Sequence, residues 1–564
     1  MNRLHALALS CVLVASAHAT QALAQNSSGA LKKEDDCSIA GTVVTLAGGE
    51  PLRKSKVTLQ SLNDRTHSIS TITDSGGRFE LQRLDPGEYK LRVSRVGFVT
   101  NEYGQRKLGD PGATLTLRHG QQINDLVFRL IPAGVIAGRI LDEDGEPLPS
   151  VEVSALREVY TEGKRTLSTA TVVETNDRGE YRLFGLPPGR YFVSAVSLQW
   201  NRFADNSGEP EDPVDASSQG YARMYYPGTP DAGKATTIVV ASGSETPSVE
   251  MLMRQVPVYR IRGHIFNQIT HRPGIGTSVF LVPKTAGHEW EFGNQQAMVE
   301  KADGSFEITE VLPGSYSLIS YWLDEGRVYS SRTAVEVGNA DVEGIGVAIS
   351  AGTNIKGRVI WDGRPALEKD ELTVTPTPED APLIAPATRV NQDNSFTLKE
   401  VGDGRYTVDV SGQSKDCYIK DVTYEGSSTL DNAFTVARGS AAVMEITISS
   451  HGARVQGTVS GQDGLPAPGV WVVLVPDAAH VSHRPLYKHQ TTDQYGHFDL
   501  RGIAPGDYRL FSWDEVEEGA WEDPDFLKPF EEKRLGQKVT VQDGDAKAID
   551  TVTINTASSE VQRP

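Results

Sequence analysis

The feature that most constrains this chain is a sequence repeat that occurs five times. Its clearest copy is TTDQYGHFDLRGIAPGDYRL, which runs from Thr491 to Leu510. In every copy a tyrosine follows a first aromatic residue by ten positions, and a glycine stands two positions before that tyrosine. A repeat with constant spacing predicts an array of similar structural units. The aromatic–tyrosine pairs are Phe79 and Tyr89, Tyr181 and Tyr191, Phe306 and Tyr316, Phe396 and Tyr406, and Phe498 and Tyr508.

Each copy of the repeat predicts a small piece of β-sheet. Residues two positions apart, such as Phe498 and Leu500, lie on the same face of a strand. The Asp, Asn and Gly residues before the first aromatic suit a tight turn. The Pro-Gly step before the tyrosine suits a second turn, although Asp403 replaces the proline in the fourth copy. Because an isolated hairpin is only marginally stable in water, the rest of each unit must supply a covering sheet.

The segments around the repeat predict those further strands. Each unit opens with an apolar-x-Gly-x-apolar pattern, and a glycine inside a strand marks a bulge or a close approach of another backbone. With the alternating segments that follow, each unit holds roughly seven strands, the scale of an immunoglobulin-like sandwich. We therefore expect an all-β protein, a tandem array of about five immunoglobulin-like or transthyretin-like β-sandwich domains. The opening glycines are Gly41, Gly138, Gly263, Gly357 and Gly457.

These patterns divide the chain into segments. The first 24 residues have the charged start, apolar run and small residues of a secretory signal peptide, with a lipoprotein signal at Cys11 as the alternative. The short linkers between units indicate a semi-rigid rod. The predicted segments are a signal peptide 1–24, a disordered segment 25–38, sandwiches 39–132, 133–256 with an acidic insertion 201–219, 257–351, 352–451 and 452–556, and a disordered tail 557–564.

Composition narrows the class of partner. The net charge of −19 argues against nucleic acid or anionic lipid as the main partner, because both require a basic surface. After the signal peptide no apolar run is long enough for a membrane helix. Cys37 and Cys417 lie in different units, so two thiols are favoured over a disulfide. We expect an exported monomer, in the periplasm, on the outer-membrane surface or outside the cell.

The repeat resembles the carboxypeptidase regulatory-like domain. The resemblance lies in the opening apolar-x-Gly-x-Val pattern, the Asp-x-x-Gly-x-Phe-x-Leu turn and strand, and the Pro-Gly-x-Tyr step, and it covers Ile39 to about Asn555. It implies a transthyretin-like or carbohydrate-binding-like β-sandwich in a secreted bacterial multi-repeat protein. In metallocarboxypeptidases this domain is an accessory module, and in some outer-membrane receptors it precedes the transport barrel, so the family implies no catalysis of its own.

The residues themselves point to no catalytic centre. The one His-x-x-Glu sequence, His288 to Glu291, lies in a β unit too small for a zinc carboxypeptidase domain, which favours a loop. The repeat aspartates supply about one carboxylate per turn, and this favours turn stabilisation over calcium binding. We therefore predict no catalytic residue, no metal and no cofactor.

Aromatic residues outside the repeat pattern are the candidate ligand contacts. Exposed aromatic faces stack on sugar rings, so carbohydrate is the leading ligand class, with closure of a sandwich end as the alternative role for Trp322 and Trp513. The acidic segment Asp514 to Glu532 predicts a solvated loop, with docking of a cationic partner as the alternative. The main candidates are Trp322, Trp361, Trp513 and Trp521, and the wider set adds Trp200, Tyr225, Tyr226 and Trp290.

The sequence thus predicts a secreted, non-enzymatic binding or structural protein of the cell envelope. The alternatives are a purely structural or protein-binding spacer rod of the adhesin kind, or an accessory module of an extracellular enzyme system. The partner is a polysaccharide or an envelope protein. Exposure of the candidate tryptophans distinguishes sugar binding from the structural alternative.

Overall fold

The computed structural model describes residues 36–64, 67–197, 219–284, 296–325, 327–367, 371–379, 387–430, 432–439, 442–481 and 483–555. Strands dominate these residues, which confirms the all-β prediction. Several predicted features lie outside these residues. They are the signal peptide, Trp200, the acidic insertion except for its last residue Gln219, His288, Trp290 and the predicted C-terminal tail.

The strands fall into five successive groups, which we call units 1 to 5. Unit 1 contains β1 (Cys37–Thr45), β2 (Lys56–Ser61), β3 (Ser68–Ile72), β4 (Arg78–Leu84), β5 (Gly87–Ser94), β6 (Asn101–Glu102), β7 (Leu115–Leu117) and β8 (Gln122–Leu130). Unit 2 contains β9 (Gly134–Leu141), β10 (Val151–Thr161), β11 (Lys164–Glu174), β12 (Glu180–Leu186), β13 (Gly189–Ser197), β14 (Gln219–Tyr221), β15 (Met224–Tyr225), β16 (Ile238–Val240), β17 (Glu245–Thr246), β18 (Met251–Leu252) and β19 (Gln255–Pro257).

Unit 3 contains β20 (Tyr259–Asn267), β21 (Arg272–Pro273), β22 (Ser278–Pro283), β23 (Gln296–Met298), β24 (Ser305–Val311), β25 (Gly314–Asp324), β26 (Arg327–Val337) and β27 (Val342–Ile349). Unit 4 contains β28 (Thr353–Asp362), β29 (Thr373–Pro378), β30 (Thr388–Arg389), β31 (Ser395–Val401), β32 (Gly404–Ser411), β33 (Tyr418–Tyr424), β34 (Ser427–Ser428), β35 (Phe434–Val436) and β36 (Val443–Ser449).

Unit 5 contains β37 (Ala453–Ser460), β38 (Trp471–Pro476), β39 (Lys488–Thr491), β40 (His497–Ile503), β41 (Gly506–Trp513), helix α1 (Pro524–Glu532), β42 (Gln537–Val541), β43 (Ala546–Ala548) and β44 (Thr551–Val552). Short 3-10 turns occur at Ala232–Lys234, Arg484–Leu486 and Ala520–Glu522. None of the helices among the described residues is long and apolar enough to cross a membrane.

Every unit contains two main sheets built by one rule. In the first sheet, the opening strand pairs antiparallel with the strand of the first repeat aromatic and parallel with a later strand, as β1 does with β4 and β8. In the second sheet, the strand that begins at the repeat Pro-Gly turn lies beside the alternating strand, as β41 lies beside β38. The repeat therefore spans both sheets, which explains why its spacing is constant.

Four of the five opening glycines, all except Gly357, lie where two backbones meet. A Cβ atom added to Gly457 would lie 1.8 Å from the Ile549 carbonyl oxygen, and one added to Gly41 would lie 2.2 Å from that of Leu126. This confirms the close approach that the sequence predicts, because no larger residue fits the parallel pairing at this point.

The repeat tyrosines close one end of each core. The rings of Tyr89, Tyr191, Tyr316 and Tyr508 are buried, and each hydroxyl donates a hydrogen bond to the carbonyl oxygen four residues upstream. The donor–acceptor distances are between 2.7 Å for Tyr191 and 2.9 Å for Tyr508. The tyrosine is thus an apolar core residue whose polar tip holds the preceding turn. Cys37 and Cys417 are both buried.

The units do not form the extended rod that the short linkers suggest. Unit 5 contacts unit 1 along β7 and contacts unit 2 at the tip of the β10–β11 hairpin. The expectation of a rod was wrong because it considered only the linkers between sequence neighbours. Surface groups of unit 5 are complementary to groups of the first two units, and these contacts bring the ends of the array together.

Candidate functional site

The contact between unit 1 and unit 5 centres on one side chain. Strand β7 lies at the edge of its sheet, so one row of its backbone groups has no neighbouring strand. The Thr116 N–H donates to Gln494 Oε1 at 3.0 Å, and Gln494 Nε2 donates to the Thr116 carbonyl oxygen at 2.7 Å. This side-chain amide makes the same pair of hydrogen bonds that the backbone of an adjacent strand would make.

Polar groups around this pair extend the contact. Thr114 forms a parallel backbone bridge with Asp493, and the hydroxyl of Thr491 donates to the Gly112 carbonyl oxygen at 3.0 Å. The ammonium group of Lys90 donates to that same carbonyl oxygen and to Thr491 Oγ1 at 3.2 Å. Burial lowers the pKa of Lys90, against an opposing effect of the Glu102 carboxylate. The half-buried ammonium group therefore donates hydrogen bonds to acceptors in both units.

Tyr495 anchors the outer side of the same contact. Its hydroxyl accepts a hydrogen bond from Gln121 Nε2 at 2.9 Å, and the guanidinium of Arg118 lies 5.6 Å from the centre of its ring. On the opposite side, Arg106 donates to the Pro468 carbonyl oxygen at 2.9 Å. The interface is polar and specific in its donors and acceptors, unlike the apolar cores on either side of it.

The repeat turn of unit 5 positions the side chains of Gln494 and Tyr495. Asp493 Oδ1 accepts hydrogen bonds from the backbone N–H groups of Tyr495 and His497, both at 2.8 Å, and Gly496 adopts a φ of +78°. This fixes the turn and leaves its two central residues pointing outward. In the other units these positions are Ser75 and Gly76, Asp177 and Arg178, Ala302 and Asp303, and Gln392 and Asp393.

Gln494 and Tyr495 are not among the contact residues predicted from the sequence. The available signal was their variation within an otherwise constant turn, because residues that vary inside a fixed frame are free to serve a surface contact. The turn aspartates themselves, including Asp74 and Asp493, accept backbone N–H groups. No group of three or more His, Cys, Asp or Glu residues that could hold a metal occurs among the described residues.

The long β10–β11 hairpin of unit 2 makes the second contact with unit 5. Arg484 lies 2.9 Å from a carboxylate oxygen of Glu162 and also donates to the Glu162 carbonyl oxygen at 3.0 Å. The ring of Tyr160 packs edge-on against Phe526 at 6.5 Å between centroids. At the tip, a Cβ added to Gly163 would lie 2.6 Å from the Glu522 carbonyl oxygen. The hairpin therefore touches the surface of unit 5 closely.

The acidic segment of unit 5 is a folded cover, which corrects the prediction of a solvated loop. It contains the turn Ala520–Glu522 and helix α1, and Asp523 caps this helix by accepting from the Asp525 N–H at 2.9 Å. Phe526 and Phe530 lie four residues apart, and one face of the helix therefore packs on the sheet. The helix is only nine residues long and rich in charge, and its apolar period is too short to stand out in the sequence.

This cover buries two of the four main ligand candidates. Trp513 is 0% exposed and Trp521 is 1% exposed, and both belong to the apolar cluster beneath α1. Neither ring face can stack on a sugar in this structure, so the prediction of surface contacts at these two positions was wrong. The physical reason is that the outer face of the β38–β41 sheet is apolar and must be covered.

The other candidates have different surroundings. Trp322 is half-buried, and its ring centre lies 5.3 Å from that of the buried Tyr329. Trp361 is half-buried against the core of unit 4. Tyr225 is buried and Tyr226 is half-buried. The structure therefore does not bring the four main candidates into one site.

Asp110 lies where units 1, 2 and 5 meet. Burial raises the pKa of its carboxyl to about 7, with Glu517 and Glu518 of unit 5 adding to the increase and Lys107 and Arg157 opposing it. A Cβ added to the neighbouring Gly109 would lie 3.0 Å from a guanidinium nitrogen of Arg157. Charged groups from all three units thus act on a single carboxyl.

Comparison with known proteins supports the family resemblance. The model of the carboxypeptidase regulatory-like domain matches residues 38–130 and 135–207, which correspond to unit 1 and much of unit 2. No curated protein matches the chain.

Several solved structures are similar at low identity. The minor pilin of Streptococcus agalactiae is 13% identical over 39% of this chain and 96% of its own, with a TM-score of 0.21. A streptococcal ancillary pilin is 12% identical over 56% of this chain and 98% of its own, with a TM-score of 0.19. The major pilin subunit of Bacillus cereus is 11% identical over 56% of this chain and 99% of its own, with a TM-score of 0.14.

Proposed function

We propose that this chain, a carboxypeptidase regulatory-like domain protein through its first two units, is an exported, non-catalytic scaffold that binds proteins at the cell envelope. The observation that carries the proposal is the hydrogen-bonded pair between Gln494 and Thr116, which joins the last unit to the first. A protein whose ends are joined presents its surface loops in a fixed arrangement. Such preorganisation favours binding because less conformational freedom is lost when a partner binds.

The use of the repeat residues supports this function. The constant residues of each repeat form the core, the buried tyrosine corner and the frame of the turn. The two central residues of each turn vary. In unit 5 one of them, Gln494, forms hydrogen bonds with the backbone of unit 1. Variable residues on a rigid frame are the usual place for recognition. We therefore expect the corresponding turns of units 1 to 3 to face partner proteins.

In-cell photo-crosslinking tests the proposal. A photoreactive residue placed at Ser75, Asp177 or Ala302 should crosslink to a small and reproducible set of envelope proteins. Gln494→Ala, which removes the closing pair, should reduce these crosslinks at unchanged protein level. The matched control is Gln268→Ala, an exposed glutamine in unit 3. Crosslinks that do not change in Gln494→Ala would contradict a role for closure, and their absence from all three turns would contradict protein binding.

Carbohydrate binding is a second candidate, favoured by Trp322. This indole is half-buried on Tyr329, an arrangement that holds the ring rigidly and leaves part of it accessible. The test is a pull-down on insoluble polysaccharides together with a glycan array. Saturable binding that is lost in Trp322→Ala and kept in Trp361→Ala would establish a sugar site in unit 3. A folded protein that binds no glycan would exclude this second function.

A further inference from the structure

Unit 4 carries both halves of the contact that joins unit 1 to unit 5. One half is an edge strand with outward backbone groups, and the other is a turn with a glutamine at its second position. In units 1 and 5 the two halves are joined within the chain. In unit 4 both are exposed, and they suggest a surface that a second molecule can use.

The edge strand of unit 4 has the same register as that of unit 1. On β5 and β7, Glu88 lies opposite Thr116, and on β32 and β35, Arg405 lies opposite Thr435. The carbonyl oxygens of Glu88 and Arg405 accept from residues on their other side, Leu62 at 2.9 Å and Glu379 at 3.0 Å. The facing threonines are therefore not bonded to them, and the backbone groups of Thr435 point outward as those of Thr116 do.

The turn of unit 4 has the same frame as that of unit 5. The Asn391 N–H donates to the Ser395 carbonyl oxygen at 2.8 Å, as the Asp493 N–H donates to His497 at 2.9 Å. Gln392 therefore occupies the position of Gln494. Gln392 is exposed, and its side chain makes no hydrogen bond within the part of the chain that the structure describes. The second turn position is Ser75, Asp177 and Ala302 in units 1 to 3, so those turns lack the amide.

Charges next to the two halves are complementary. Asp393 stands in the turn position that Tyr495 has in unit 5, where that tyrosine faces the segment just after β7. The corresponding segment after β35 contains Arg438, which is 53% exposed and lies 3.4 Å from the exposed carboxylate of Asp403. When the contact between units 1 and 5 is reproduced with two copies of unit 4, Asp393 of one copy lies next to Arg438 of the other.

We propose that unit 4 is a self-association surface for a second copy of this chain. Gln392 of each copy pairs with the backbone of Thr435 in the other, and Asp393 faces Arg438. One unit supplies both halves, as an isologous two-fold contact requires. This inference is independent of the proposed envelope function and replaces the monomer expected from the sequence.

The dimer is expected to be weak. The contact between units 1 and 5 forms within one chain, where the two halves have a high effective concentration, and a dimer lacks that advantage. The net charge of −19 also opposes association of two copies. We expect a dissociation constant on the order of 0.1 mM for a contact of this small size.

Sedimentation equilibrium of the full chain over a concentration series tests the proposal. Gln392→Ala should weaken dimerisation about tenfold, the effect of losing hydrogen bonds worth roughly 1.4 kcal/mol in total. Thr435→Pro should do the same by removing the outward N–H, and an edge strand tolerates proline at such a position. Thr435→Val, which keeps the N–H, and Ser75→Ala, at the same turn position in unit 1, should dimerise like the wild type.

A mixing experiment identifies the pairing. Gln392→Ala and Thr435→Pro should each self-associate about tenfold more weakly than the wild type. A mixture of the two should form heterodimers of intermediate affinity, because one of the two Gln392–Thr435 pairs remains intact. A wild-type chain that stays monomeric at about 1 mM overturns the proposal. So does equal dimerisation of all variants, or loss in Thr540→Pro alone, which would place the partner on the edge strand β42 of unit 5.

Discussion

Gln494 and Thr116 are 378 residues apart in the sequence, and two hydrogen bonds of 3.0 and 2.7 Å join them. A glutamine side chain here does what a neighbouring strand would do for an exposed sheet edge. The pairing has two consequences. It removes an edge on which another chain could pair, and it fixes the ends of the array relative to each other.

Gln494→Ala is expected to open the contact between units 1 and 5. It removes two hydrogen bonds and leaves the Thr116 backbone without them, at a cost of about 1–2 kcal/mol. Small-angle X-ray scattering should show a larger radius of gyration, and unfolding of unit 5 should begin at lower denaturant concentration. Gln268→Ala in unit 3 serves as the control and should match the wild type. An unchanged scattering profile for Gln494→Ala would show that other contacts hold the ends together.

The junction of units 1, 2 and 5 should be more stable in mild acid than in mild base. The pKa of the Asp110 carboxyl is raised to about 7 from an ordinary value of 3.8. The carboxyl therefore holds its proton more tightly when units 1, 2 and 5 are in contact than when they are apart. This contribution to the stability of the junction is fully present below about pH 3.8 and is lost as the pH rises through about 7. Glu517 and Glu518 repel the ionised form, and Lys107 and Arg157 limit the effect.

Asp110→Asn tests this pH dependence. The amide cannot ionise, so the variant should be more stable than the wild type at pH 8. Its stability should also change much less between pH 5 and pH 8 than that of the wild type. Denaturation midpoints and scattering profiles across this range provide the measurement. Asp125→Asn, at an exposed position of unit 1, is the control and should keep the wild-type dependence. A pH profile that is the same in Asp110→Asn and the wild type would assign the effect to another group.

Trp521→Ala should destabilise unit 5 strongly. The indole is 1% exposed and packs 4.9 Å from the ring of Trp471, so its removal leaves a cavity that costs about 3–5 kcal/mol. Thermal unfolding followed by tryptophan fluorescence measures the effect. Trp361→Ala, in which a half-buried ring is lost, should cost less. A small effect of Trp521→Ala would mean that α1 does not cover this residue in solution.

Gly457→Ala should disrupt the first sheet of unit 5. The new methyl group would lie 1.8 Å from the Ile549 carbonyl oxygen, and the parallel pairing of β37 would have to shift. Gly346→Ala is the matched control, because no atom lies within 4 Å of the added Cβ in strand β27. Denaturant titration should therefore show a clear loss of stability for Gly457→Ala alone. Equal behaviour of the two variants would contradict the close backbone approach.

Much of the fold could be predicted because it depends on local patterns that recur. The alternation around Phe498 and Leu500 identifies strands, and the constant spacing to Tyr508 identifies a repeated pair of turns. The opening glycine predicted a close backbone approach that Gly457 confirms. Five copies reinforce each inference, since an accidental pattern would not recur at one spacing.

The candidate sites were less predictable because they depend on which surfaces meet. Trp513 and Trp521 were plausible surface rings until the position of α1 buried them. Helix α1 is short, and its apolar face needs the sheet beneath it to be stable. Gln494 is an ordinary polar residue in a turn, and Gln392 occupies the same turn position in unit 4.

The sequence by itself determined the all-β class, the five repeats and the glycines at the parallel pairings. These follow from period, turn chemistry and steric limits, all of which act between residues close together in the chain. Only the tertiary structure decided that the last unit contacts the first two, which tryptophans remain accessible, and which of two similar glutamines has a partner. Those outcomes depend on complementarity between surfaces hundreds of residues apart, which no local pattern encodes.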